Sequence, residues 1–255
     1  RIVNGVFTYA ENCNAKIKTL QEFLTVLNLM RLSGNGHVSL ASAGVIQGAV
    51  IELQRQGGDN FFGETEFDLT SLIKTERGKG KVNILAASKL MRFPKLYAGF
   101  LLWILDTLYE ILPEVGDSLD KPKLVVIIDE AKLLFGGLKK NPSLLEKIEQ
   151  SIRLIRSKGV GIVLSTQSPD DIPKEILGQL GNRIQHGMIA CTGDEARAIS
   201  NMVRTFRKNN SVNVEEAIIE MGIGEALISF LQDGGVPMPV ERCNIMPPQS
   251  FMGAI

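Results

Sequence analysis

Leu124-Val125-Val126-Ile127-Ile128-Asp129-Glu130 is an apolar run closed by two adjacent carboxylates, and no other stretch limits the fold of this chain as strongly. Its apolar residues are mostly β-branched and do not alternate with polar ones, so they read as a parallel strand buried on both faces. Such strands belong to α/β sheets, whose carboxyl ends open onto a ligand crevice. A carboxylate pair at that end, here Asp129 and Glu130, suits a divalent cation and the activation of a water. A plainer reading stands beside it, in which the two acids only cap the following helix.

The next residues extend the pattern. Asn141-Pro142 starts a helix, with a capping side chain and Pro at the first helical position. Leu145, Ile148, Ile152 and Ile155 recur at helical spacing and form one apolar stripe. Gly159 ends that helix, and Gly161-Ile162-Val163-Leu164-Ser165-Thr166-Gln167 reads as a second short buried strand with a polar tip. Strand, acidic tip, helix, strand and Gln tip make a βαβ unit that presents Asp129, Glu130 and Gln167 along one edge. Together these groups suit a metal, a water and a phosphate; taken alone, Gln167 is an ordinary turn residue.

Residues 1–75 read as a mostly helical segment, with helices over Ile17–Leu32 and Ala43–Gln56 and a turn at Gly57-Gly58-Asp59-Asn60. Residues 76–255 read as the core with a terminal hairpin, and from Val82 onward strands and helices alternate. Strands are expected at Val82–Ala86, Leu124–Ile128, Ile162–Ser165 and Ile184–Ile189, and helices at Pro94–Leu112, Pro142–Ser157, Pro173–Leu180 and Gly193–Phe206. That alternation predicts a mainly parallel sheet covered on both faces. Glu225–Leu231 and Val236–Ile245 read as a terminal hairpin, with Pro237 and Pro239 confining its second strand to an edge.

Composition removes several classes of function. The 255 residues carry 28 basic and 28 acidic side chains, so any nucleic-acid contact has to be local. Cys13, Cys191 and Cys243 are widely spaced without CxxC, and read as reduced, buried thiols of a cytoplasmic protein. The apolar stretch Tyr97–Leu105 is far too short for a membrane span. His37 and His186 lack partners at ligand spacing and read as structural. Phe100 and Trp103 fall on an apolar helix face, as core residues or, in the lesser reading, as base-stacking groups.

Several blocks in one order resemble the HerA-type hexameric ATPases, and most of all the bacterial HerA-like proteins that carry a domain of unknown function. They are Val125–Glu130, Arg153-Leu154-Ile155-Arg156-Ser157-Lys158-Gly159-Val160-Gly161, the Ser165–Pro169 tip and Gln179-Leu180-Gly181-Asn182-Arg183. Phe7-Thr8-Tyr9-Ala10, Gly57–Glu64 and Gly222–Leu227 extend the likeness over nearly the whole chain. The resemblance implies a RecA-like P-loop NTPase core, ATP and Mg²⁺ as ligands, and a homo-hexameric ring that hydrolyses ATP and acts on DNA as a helicase-like translocase. It implies Asp129 as the Mg²⁺ carboxylate, through water, with Glu130 and Gln167 handling the attacking water and Gln167 also facing nucleotide. Arg156 matches the arginine that the family sends to a neighbouring subunit's nucleotide as a finger, and Arg183 is a second candidate. The residues themselves also allow Arg153 and Arg156 a plain role at the helix C-terminus, with Glu149 four residues before Arg153.

Two features depart from the family. Lys132 stands where a His is common, and reads either as a phosphate contact or as neutralising Glu130. No GxxxxGK[ST] loop exists; Ser33-Gly34-Asn35-Gly36-His37 and Gly78-Lys79-Gly80-Lys81 have the wrong spacing and read as loops. The expectation is a C-terminal part or ordered remainder whose phosphate loop lies in a missing N-terminal segment. In the implied fold that loop's strand adjoins the one ending at Gln167, so both remaining strands would have open edges. The alternative is a non-hydrolysing scaffold or assembly protein that keeps the fold.

Overall fold

The computed structural model describes residues 1–34, 38–63, 68–115, 121–138, 141–232 and 234–248. His37, the end of the Ser33–His37 run, Glu64 and Asp233 lie outside the described residues.

Three helices form the N-terminal segment: α1 (Ile2–Asn12), α2 (Leu20–Leu32) and α3 (Leu40–Arg55). A capping box starts α2, with the Glu22 N–H donating to Thr19 Oγ1 at 3.1 Å and the Thr19 N–H donating to the Glu22 carboxylate at 2.9 Å. Those bonds to backbone amides, led by that of Lys18, hold the Glu22 carboxyl below its usual pKa. The helices enclose a core of their own, built on Val6, Phe23, Val26, Leu27, Met30 and Val50.

A small antiparallel hairpin, β1 (Thr75–Glu76) and β2 (Lys79–Gly80), follows. Val82–Ala86 does not become a strand: Val82 is 85% and Ile84 90% exposed, and no pairing partner exists for the segment among the described residues. Alternation supplies a strand's side-chain pattern, but a strand also needs a neighbouring backbone. Pro94 then opens α4 (Pro94–Ile111), which buries Tyr97, Leu101, Leu105 and Leu108 along one stripe.

The central unit is β3 (Leu124–Ile128), α5 (Ala131–Leu138), α6 (Pro142–Ile155) and β4 (Val160–Leu164). β3 and β4 are parallel, in register from Leu124↔Val160 to Ile128↔Leu164. Val126, Ile128, Ile162 and Leu164 face a core with Leu101, Leu105, Leu134, Phe135, Ile148 and Ile152. The opposite face is bare, with Val125 45%, Ile127 69% and Val163 48% exposed. Burial on both faces, expected from the sequence, is thus met on one face only. Parallel sheets are normally covered on both sides, and no described segment covers this one. Among the described residues each of the two strands also has one open edge.

The remainder is α7 (Lys174–Leu177), β5 (Arg183–His186), α8 (Gly193–Val203), α9 (Val214–Glu220), β6 (Glu225–Ser229) and β7 (Glu241–Asn244). β5, β6 and β7 make a separate antiparallel sheet in that order. The terminal hairpin is therefore present, but the strand expected at Ile184–Ile189 joins it antiparallel and does not extend the β3–β4 sheet. The fold is mixed α/β, and its parallel part among the described residues is one pair of strands.

Three smaller expectations change. Cys13 and Cys191 are exposed and Cys243 is half-buried; all three are free thiols. Phe100 is half-buried and Trp103 36% exposed. They stack at 5.9 Å between centroids and 20°, with Phe61 edge-on to Phe100, so these rings form a flank of α4 and not its core. Asn141 takes the N-cap position of α6, but its side chain makes no capping bond, and Nδ2 is buried without a partner among the described residues.

Candidate functional site at the carboxyl edge of the parallel strands

The ladder between β3 and β4 continues past the strand ends. The Ser165 N–H donates to the Ile128 carbonyl at 2.9 Å, and the Ala131 N–H donates to the Ser165 carbonyl at 2.8 Å. Asp129 and Glu130 are held between these two bonds. Glu130 has a φ of 49°, in the left-handed region. For a residue with a Cβ that conformation costs roughly 1–2 kcal/mol and persists only where the surroundings enforce it. From this bend the Glu130 side chain meets Gln167, whose Nε2 donates to Oε1 at 2.9 Å. Asp129 is exposed, and its Oδ1 accepts the Glu130 N–H at 3.0 Å.

Asp129, Glu130 and Gln167 thus come together as the βαβ spacing predicts. Lys132 does not neutralise Glu130: its Nζ lies 3.4 Å from Asp171 Oδ1. Asp171 Oδ2 in turn accepts the Thr166 hydroxyl at 3.2 Å. Sequence reading missed Asp171 and Thr166. A partial signal was available, since Lys132 needs a counter-charge and Asp170-Asp171 are acids just beyond the Gln167 tip.

The arginines lie elsewhere. Arg156 is exposed at the amino end of β4, while Gln167 follows its carboxyl end. The five residues of β4 alone separate those ends by roughly 17 Å, so Arg156 does not reach Asp129 or Glu130 within this chain. Arg153 tempers Glu149 through its charge, yet burial and the neighbouring Glu175 and Glu146 still raise the Glu149 pKa. Arg183 donates from Nη1 to the Thr205 carbonyl at 2.5 Å, and burial lowers the pKa of its guanidinium. It borders a hollow of about 260 Å³ with Gly181, Ser229 and Pro237. A second hollow of about 360 Å³ lies among α8 and α9 residues. Neither includes Asp129 or Glu130. His186 is structural, with Nδ1 2.9 Å from the Glu225 carbonyl oxygen on the paired strand.

The donor set suits one half of a nucleotide site. No cluster of three His, Cys, Asp or Glu side chains is present among the described residues. Mg²⁺ needs none, because it keeps several waters and takes one or two carboxylates together with substrate phosphates. The exposed Asp129 fits that use. The phosphate half does not fit the described residues: the left-handed glycines, among them Gly57, Gly78, Gly159 and Gly224, lie on other loops. No helix of the described residues is long and apolar enough to cross a membrane.

Fold and site together define an α/β protein with a carboxylate-and-amide edge at the carboxyl ends of its parallel strands. Residues 15–255 match the Helicase HerA-like C-terminal family, and the chain belongs to it. Solved structures similar to it include the genome packaging NTPase B204 from Sulfolobus turreted icosahedral virus 2 in complex with AMPPCP, at 19% identity over 74% of this chain and 76% of that chain, with a TM-score of 0.40. The same NTPase in complex with sulfate gives 18% identity over the same shares and a TM-score of 0.41. B204, the DNA-packaging ATPase from Sulfolobus turreted icosahedral virus, gives 19%, 74%, 76% and 0.40. No curated protein sequence matches the chain.

Proposed function

We propose that this chain is the carboxylate half of an ATP-hydrolysing subunit in a ring-forming, cytoplasmic HerA-like motor that acts on DNA. The narrower kinship with the bacterial HerA-like proteins belongs to the same reading. Asp129 holds Mg²⁺ through water. Glu130 takes a proton from the attacking water, and Gln167 orients that water or Glu130 itself. Mg²⁺, when bound with ATP, supplies charge neutralisation for the phosphates. The phosphate-binding amides come from a further polypeptide segment that adds to the open β4 edge. Arg156, remote from its own subunit's carboxylates, reaches the nucleotide of a neighbour, with Arg183 the second candidate.

One observation carries the reading: Glu130 is held in a strained left-handed bend at a strand end and meets Gln167 across the edge at 2.9 Å. A helix cap needs neither the bend nor the partner. In the intact protein Glu130→Gln is expected to leave ATP binding nearly unchanged and to lower turnover at least ~10²-fold, the lower range for losing a positioned base. Unchanged turnover removes Glu130 from this role, whereas no hydrolysis by the intact wild type favours the scaffold reading.

A further inference from the structure

Three consecutive residues after β3 are each tied to the loop after β4. Ala131 N–H donates to the Ser165 carbonyl at 2.8 Å, Glu130 Oε1 accepts the Gln167 amide at 2.9 Å, and Lys132 Nζ reaches Asp171 Oδ1 at 3.4 Å. Asp171 also closes its own loop, accepting the Thr166 hydroxyl at 3.2 Å; that hydroxyl lies 3.2 Å from the Ser168 carbonyl as well. Gln167 is exposed, and its flanking residues Thr166 and Ser168 are both engaged in this turn. The Asp171 side chain is 16% exposed and that of Lys132 62%. An ion pair so open at one end contributes little by itself, whereas a shielded carboxylate holding a hydroxyl resists replacement.

From these ties we propose that Asp171 is a positioning residue: through Thr166, and secondarily through Lys132, it fixes the turn that presents Gln167 to Glu130. The assignment rests on the hydrolytic reading of Glu130 and Gln167. A turn left free would misplace the Gln167 amide by about an ångström, enough to slow a positioned reaction substantially. Lys132 thereby acquires a use that involves no phosphate contact.

The test pairs steady-state ATP hydrolysis by the intact protein with hydrogen exchange over 165–168. Asp171→Ala is expected to lower kcat about tenfold, with KM for ATP within about twofold. It is also expected to accelerate exchange at 165–168 while β4 stays protected. Asp171→Asn, which keeps an acceptor for Thr166, and Lys132→Met are expected to change kcat less than about threefold. In a Gln167→Ala background Asp171→Ala is expected to have no further effect on kcat. If Asp171→Ala does not fold, Thr166→Val carries the same expectations. Unaltered exchange at 165–168, or an equal loss of kcat in the Gln167→Ala background, overturns the proposal. An intact wild-type protein without hydrolysis counts against the nucleotide reading instead, and the exchange measurement then decides the tie on its own.

Discussion

The two larger sheets of this molecule differ in how far the described residues complete them. In the antiparallel sheet the central strand β6 has Ala226 and Leu227 on opposite faces, and both are fully buried. Leu227 packs with Ile199, Met202, Phe206, Ile218 and Val240. In the parallel sheet each strand has an open edge, and Ile127 at its centre is 69% exposed. The contrast follows from what lies over each sheet: side chains of α8 and α9 pack against Leu227 of β6, whereas no described segment covers Ile127 of β3. The candidate site residues Asp129, Glu130 and Gln167 sit on the sheet with the larger unmet demand.

The largest expected effect is on the completed sheet. Leu227→Ala in residues 1–255 is expected to cost about 2–5 kcal/mol, the range for emptying a buried leucine site. Ile127→Thr in the same chain should stay within about 0.5 kcal/mol, as for exposed positions. Denaturant unfolding of both variants measures the difference. A cost above about 2 kcal/mol at Ile127 means that its face is covered, and the comparison between the sheets fails.

A smaller effect probes the strain at the acidic edge. Glu130→Gly frees a left-handed position from its Cβ, and is expected to stabilise the chain by about 1 kcal/mol despite losing the Gln167 contact. The same substitution should abolish hydrolysis in the intact protein. Stability gained as activity is lost marks a backbone held for chemistry. A loss of stability would mean that Glu130 is placed there for packing.

The smallest effect tests the antiparallel sheet. Glu225 Oε2 accepts from Arg242 Nη2 and from the Gly222 N–H, and these bonds hold its carboxyl below the usual pKa. A lowered carboxylate stabilises the fold above its unfolded pKa, and the contribution is lost as pH falls through the folded value. The wild type should therefore be slightly more stable than Glu225→Gln near neutrality, with the gap closing below about pH 4. Thermal unfolding across that range reads the gap directly; a constant gap contradicts the linkage.

Much of the parallel unit was legible because its signals are local. Uninterrupted β-branched residues, an acidic strand end, Pro after an N-cap residue and the 148/152/155 stripe each report on their own neighbourhood, and β3, α6 and β4 follow. The Glu130–Gln167 meeting was legible as a shared sheet edge, since parallel strands in one βαβ unit end on the same side. Features set by distant partners were not legible. Val82–Ala86 has a strand's pattern without a pairing backbone, and Ile184 lies on a strand whose direction is chosen by β6. The helix over Ala131–Leu138 was missed because Gly136 and Gly137 weaken its local signal, while Leu134, Phe135 and Leu138 bury completely or nearly so in the shared core. The left-handed Glu130 carries no sequence mark at all, because Glu is not a residue that favours that region.

In the proposed function these residues supply the metal and water side of a nucleotide site and lack its phosphate side. Backbone amides and a Lys provide much of the hold on the β- and γ-phosphates in such sites, and carboxylates alone repel them. Calorimetric titration of residues 1–255 with Mg-ATP is the most direct test. The expected result is a Kd of about 1 mM or weaker, roughly −4 kcal/mol, with no hydrolysis. Micromolar binding would contradict the account, because it would require a phosphate site within residues 1–255.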